Sequence, residues 1–200
     1  MSVTAAQGFR AAGVRAGLKA SGKPDLALVV NDGPLDTAAG VFTTNRVVAA
    51  PVVWSRQLLA GEEGGQPGRA RAVVLNSGSA NACTGTQGMH DTEATAARTA
   101  GLLGAEPGQI LVCSTGVIGE RIDMPVLLEG VDVAALALAD TSQAGTDAAT
   151  AIMTTDTVSK EDALTVGAGD QGWTIGGMIK GVGMLAPGMA TMLAVITTDA

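Results

Sequence analysis

A chain of 200 residues suits one compact domain or two small ones, and 46% hydrophobic residues with a mean hydropathy of +0.32 supply ample core material. Aromatics are only 2%, with no Tyr, so that core must be Val, Ala, Leu, Ile and Met, while 28 glycines signal many turns and close backbone contacts. A net charge of −7 with scattered Lys and Arg argues against a nucleic-acid surface, and no apolar run approaches the roughly 20 residues of a membrane span. The N-terminal MSVTAAQGFRAAG lacks the apolar centre of a secretion signal, so a soluble, cytoplasmic protein is expected.

In chain order, Gly8 to Lys19 reads as a strand or an irregular lead-in. Leu26 to Val30 is a buried-strand run, ended by the turn signal Asn31-Asp32-Gly33-Pro34. Ala39 to Thr44 and Val47 to Trp54 continue the β pattern, with Pro51 favouring an edge or a break. Gly61 to Gly68 (GEEGGQPG) is a flexible surface loop, because the strand run Ala72 to Leu75 resumes at once. Asn76 to Gly85 (NSGSANACTG) is a small-residue polar loop whose side chains can bond their own backbone. Asp91 is placed to N-cap an Ala-rich helix running to Leu103 and closed at Gly104, which leaves His90 at a solvated position before it.

Ile110 to Cys113 is a buried strand delivering Ser114-Thr-Gly-Val-Ile-Gly119. Small residues there leave backbone N–H groups unencumbered, as an oxyanion site requires; an ordinary strand-to-helix turn has the same look. Helices follow over Pro125 to Leu138 and Ser142 to Met153, then a Thr pair in Ile152 to Thr157 (IMTTDT). Two motif matches fail. Gly17 to Lys23 fits GxxxxGK, but Pro24 replaces the hydroxyl residue and no buried strand precedes it. Gly167 to Gly172 fits GxGxxG, but a strand-like Trp173-Thr-Ile follows where a dinucleotide fold requires a helix, so a glycine-rich β-turn is expected. Cys83 and Cys113, without CxxC spacing and with His90 as the sole imidazole, read as buried thiols, so no metal site is expected.

The last stretch, Trp173 to Ala200, organises the rest. Strand-like Trp173–Met178 and Met192–Thr198 bracket a turn rich in Gly and Pro, and Ala190-Thr191 opens the final strand. A Thr there is ordinarily a strand or cap residue. However, Lys180 to Leu193 (KGVGMLAPGMATML) resembles the self-cleavage segment of the ornithine acetyltransferase family, the glutamate N-acetyltransferases of arginine synthesis. FRAAGV, AGVFTTN, NSGSANACTG, STGVIG and MTTD resemble further signatures of that family, so the likeness runs from Gly8 to Ala200.

The resemblance implies an α/β fold of layered sheets flanked by helices, in the αββα style of self-processing N-terminal-nucleophile acyltransferases. It implies scission between Ala190 and Thr191, with residues 1–190 forming an α-chain region and 191–200 the start of a β-chain. Thr191 would be the nucleophile, and its freed α-amine, with a pKa of roughly 7.7–8.0, a suitable base. Thr115 and Gly116 would stabilise the oxyanion, and Thr154, with Thr155 an alternative, would contact substrate. Lys180, a cation set among glycines and apolar residues, would hold the substrate carboxylate.

The implied reaction is ping-pong acetyl transfer from N2-acetylornithine to glutamate through acetyl-Thr191, without a cofactor. Whether acetyl-CoA also donates stays open. The implied partner is the chain's own C-terminal β-chain, in a heterotetramer of two α and two β chains. The sequence stops ten residues into that second subunit, so the sheets are expected to be incomplete, and inactive, without it. A related self-processing hydrolase and a non-catalytic fragment are the competing readings.

Overall fold

The computed structural model describes residues 2–167, 172–183 and 191–200. It contains a four-stranded sheet in the order β1-β2-β3-β4: Phe9–Val14, Leu26–Asn31, Ala72–Ser79 and Ile110–Val117. The first two pairings are antiparallel and β3–β4 is parallel. A second, antiparallel sheet has the order β5-β6-β7: Lys160–Val166, Trp173–Lys180 and Leu193–Thr198. The helices are α1 Ala50–Ala60, α2 Gly85–Leu103, α3 Met124–Leu136 and α4 Ser142–Ala151.

Side-chain alternation along the first sheet builds two cores. Leu26, Leu28, Val30, Val74, Ile110 and Val112 pack beneath α1, α2 and α3. Ala11, Ala27, Val29 and Leu75 pack on the other face against α4 residues Ala148, Ala149 and Ala151, and against Met178 of β6. The layered architecture with flanking helices expected from the sequence is thus present. With so few aromatics, alanine fills α4, which lets that helix lie close on β1 and β2.

Four local expectations need correction. Ala39 to Thr44 forms no strand, and Val47 to Trp54 runs into α1 instead of a strand. Pro51 sits in the first turn of that helix, where its missing N–H costs nothing, and the buried Pro51, Trp54, Ser55 and Leu58 recur at helical spacing. Asp91 is not a cap: α2 begins at Gly85, so Asp91 is a buried mid-helix residue accepting a two-pronged contact from Arg121, and the exposed His90 lies inside the helix. The stop at Gly104 is as expected, in the left-handed conformation.

Strands β3 and β4 run four residues past Leu75 and Cys113, because they zip against each other out to Ser79 and Val117. Cys83 is exposed rather than buried, whereas burial pushes the Cys113 thiol up to about 12. The expected turn over Gly167 to Gly172 falls largely outside the described residues, although β5 and β6 are antiparallel neighbours. No helix among the described residues is long and apolar enough to cross a membrane.

Candidate active site

Strand alternation aims the key side chains. In β6, Gly176, Met178 and Lys180 are the buried positions, so Lys180 faces the first sheet at the strand's end. In β4, Cys113 joins the core shared with β6, and Thr115, two residues on, faces the same way. The two sheets therefore present Lys180 and Thr115 to each other across their interface. The Lys180 ammonium donates to Thr115 Oγ1 at 3.1 Å, to Thr154 Oγ1 at 2.7 Å and to the Thr191 carbonyl at 3.3 Å. Four residues singled out from the sequence, distant along the chain, thus meet at one nitrogen. Of the Thr154–Thr155 pair, it is Thr154 whose hydroxyl bonds Lys180. Ala190 lies outside the described residues, as does most of the turn before Thr191.

Lys180 is only 4% exposed, and burial is the main reason its ammonium titrates below the usual lysine range, with nearby Asp156 pulling the other way. An ammonium has three donors, and here each has an acceptor. Because Lys180 supplies the proton in both hydroxyl contacts, Thr115 and Thr154 keep their own O–H groups for a further acceptor. Both hydroxyls are polarised by the adjacent positive charge.

Gly116 follows Thr115 near the end of β4. Helix α1 covers the outer edge of β4: Trp54 Nε1 donates to the Ile110 carbonyl at 3.0 Å. Ser55 Oγ donates to the Val112 carbonyl at 2.8 Å and accepts from the Val112 N–H at 3.0 Å. The N–H of Val112 thus points away from β3. Gly116 has φ +134°, and a Cβ there would lie 2.4 Å from the Gly78 backbone. Gly78 in turn has φ +127° and abuts the Leu18 carbonyl. The glycine at 116 thus lets β3 lie close to β4, and the glycine at 78 in NSGSANACTG makes room for the Leu18 backbone.

The rest of that loop is scaffolding. Buried Asn81 donates to the Gly88 carbonyl at 2.8 Å and accepts from Thr84 Oγ1 at 2.7 Å, tying the loop to α2. Ser79 Oγ donates to the Glu120 carbonyl at 3.1 Å, holding the end of STGVIG.

Sequence reasoning missed two supports of the site. Lys19 donates to the carbonyls of Pro24 at 2.7 Å, Ala151 at 3.3 Å and Met153 at 2.6 Å, which fixes the end of α4 just before Thr154. Asp156 accepts from the backbone of Thr154 and Gly181. The Asp of MTTD was a visible signal for the second; nothing local marks Lys19. Among the described residues, no group of three or more His, Cys, Asp or Glu is placed to hold a metal. A surface groove of about 600 Å³ lined by Val53, Gln57, Cys83, Met89 and Glu93 shares no residue with the cluster.

The ArgJ family model matches residues 10–200. The chain belongs to the ArgJ family. It is 60% identical over 201 residues to the arginine biosynthesis bifunctional protein ArgJ of Bifidobacterium longum, covering 100% of this chain and 49% of that protein. Against the protein of the same name from Streptomyces coelicolor it is 59% identical over 200 residues, with the same coverages. The chain therefore spans about half the length of the curated ArgJ relatives it matches. Among solved structures, ornithine acetyltransferase from Mycobacterium tuberculosis, complexed with ornithine, matches with a TM-score of 0.86 at 50% identity, over 96% of each chain. ArgJ from Bacillus halodurans matches with a TM-score of 0.85 at 35% identity, over 96% of this chain and 95% of that one.

Proposed function

We propose that this chain is the α-chain region, with the first residues of the β-chain, of a self-cleaving acetyltransferase of arginine biosynthesis that moves acetyl from N2-acetyl-L-ornithine to L-glutamate. The observation carrying this reading is the contact of one buried ammonium with Thr115, Thr154 and Thr191. The names of the relatives support the pathway, and the ornithine-bound relative supports the substrate class. The word bifunctional in those names also supports a second activity, read here as acetyl-CoA-dependent acetylation of glutamate.

In this reading the Thr191 hydroxyl first attacks the carbonyl of Ala190. Its amide nitrogen becomes a free amine, and water hydrolyses the resulting ester to leave two chains. Solved relatives are matched over 96% and 95% of their own chains but curated ones over 49%, which supports a two-chain mature form. The Thr191 α-amine then takes the hydroxyl proton as Oγ attacks the acetyl group. The Thr115 hydroxyl and Gly116 N–H receive the oxyanion, ornithine leaves, and the glutamate amine takes acetyl from Thr191 Oγ.

Lys180 meets the α-carboxylate of each substrate in turn, by exchanging its longest contact, that to the Thr191 carbonyl. The downstream β-chain would complete the pocket and the assembly of two α and two β chains. In the full-length protein, Thr191→Ala should stay one chain by mass spectrometry and transfer no acetyl to glutamate. Normal processing of that variant would sink the assignment, and acetyl release to water alone would make the protein a hydrolase.

A further inference from the structure

Asp156 has no part in the chemistry above, yet its carboxylate is 1% exposed and joins three segments of the site. Oδ1 accepts from the Gly181 N–H at 2.9 Å and Oδ2 from the Thr154 N–H at 3.3 Å, while Lys160 at the start of β5 pairs with Oδ1. The Lys180 ammonium bonds the Thr154 hydroxyl at 2.7 Å. Asp156, Thr154, Lys180 and Gly181 therefore form a closed ring, two of whose members carry the proposed substrate contacts.

We propose that Asp156 is a positioning residue: its carboxylate fixes the Thr154 turn to the end of β6 and supplies the negative charge that balances the buried Lys180. This rests on the reading of Lys180 as the partner of the substrate carboxylate. The charged groups acting on Lys180 are Asp156 from the turn, Lys160 from β5 and Lys19 from the loop after β1. Thr115, Thr154 and the Thr191 carbonyl are neutral. Burial disfavours the ammonium and Asp156 favours it, whereas Lys160 repels it. Asp156 itself is held charged. Burial pushes its carboxyl up, but the bonds from Lys160, Gly181 and Thr154 outweigh that and hold it at about 2.

Two neighbours of opposite sign make a test that mere disruption cannot mimic. In the full-length protein, Asp156→Asn should move the alkaline limb of kcat/KM for glutamate to lower pH, by on the order of one unit. Such a shift is about a tenfold loss on the limb. Lys160→Met should move the limb to higher pH by a smaller step. NMR titration of labelled Lys180 should shift in the same two directions, independently of turnover. An unchanged Lys180 titration in Asp156→Asn overturns the proposal. If that variant does not fold, Lys160→Met decides alone: an upward shift supports the proposal and none overturns it. Titrations that move while the kinetic limb stays put would uphold Asp156 as the balancing charge. They would instead remove Lys180 from substrate binding.

Discussion

Two lysines, Lys180 buried and Lys19 half-buried, sit in neighbouring regions of this molecule, and each satisfies all three of its donors. Burial pulls both below the usual lysine range. They differ in what they touch. Lys19 bonds three main-chain carbonyls, which can only accept and which belong to fixed backbone. Lys180 bonds two threonine hydroxyls and one carbonyl, and the hydroxyls can rotate and still donate. The first arrangement is a bolt that closes the end of α4 onto the loop after β1. The second is a set of groups already polarised and free to take a new partner. The same charge, with all three donors used, thus serves architecture in one place and exchange in the other.

The comparison can be broken at several points, tested in the full-length protein. Thr115→Ala should cost the most, lowering kcat by on the order of 10²–10³, the usual effect of removing one oxyanion donor. Steady-state kinetics would show a nearly unchanged KM. A raised KM with kcat intact would make Thr115 a ground-state binding residue and overturn its oxyanion assignment.

Lys180→Met comes next. Loss of a charged hydrogen-bond partner is worth about 1.5–3 kcal/mol, so KM should rise for acetylornithine and glutamate alike while thermal stability holds. Lys19→Met should do the converse. It leaves the Pro24 and Met153 carbonyls short of a donor, while Ala151 keeps Ser77 Oγ, so chemical denaturation should show about 1–3 kcal/mol lost, with kcat/KM little changed in the protein that folds.

The smallest effect is in acid. The Asp156 carboxyl is held at about 2, against an ordinary 3.8, so the unfolded chain binds its proton first as pH falls. Its contribution to stability is therefore full above about 4 and is lost as pH drops through about 2. Unfolding midpoints measured over that range should fall less steeply in Asp156→Asn than in the wild type.

The residues that meet at Lys180 were marked in the sequence chiefly by the family resemblance, and by local chemistry only in part. Lys180 stood out as a cation among glycines, but the strand was expected to end at Met178, and its place on the buried face of β6 came only with the structure. Thr115 and Gly116 followed a strand of clear apolar pattern. What was not legible depended on long-range pairing. The β3 and β4 strands extend through Asn76–Ser79 and Ser114–Val117 only because each is the other's neighbour, and single-strand propensity cannot register that. The helix at Ala50–Ala60 was hidden by β-branched Val47, Val48, Val52 and Val53, and its commitment depends on covering the open edge of β4 with Trp54 and Ser55. Strand β5 is mostly polar and exposed, and its place in the sheet comes from pairing with β6.

Strand β7 is laced into the fold independently of the chain that leads to it. It pairs with β6 from Lys180–Leu193 to Ile175–Thr198, and Thr197 Oγ1 donates to the Val3 carbonyl at 2.8 Å. Asp199 accepts from the Gln7 N–H at 2.6 Å. Opening the peptide bond before Thr191 would leave those contacts in place, so Thr191 would keep its address after losing its tether. The loss would appear only on unfolding. An intact chain regains β7 by closing a loop, whereas a cut one must recapture a separate molecule from solution. A protein built this way would be made once, in one piece, and would hold its active form against a return path that becomes slower with every dilution.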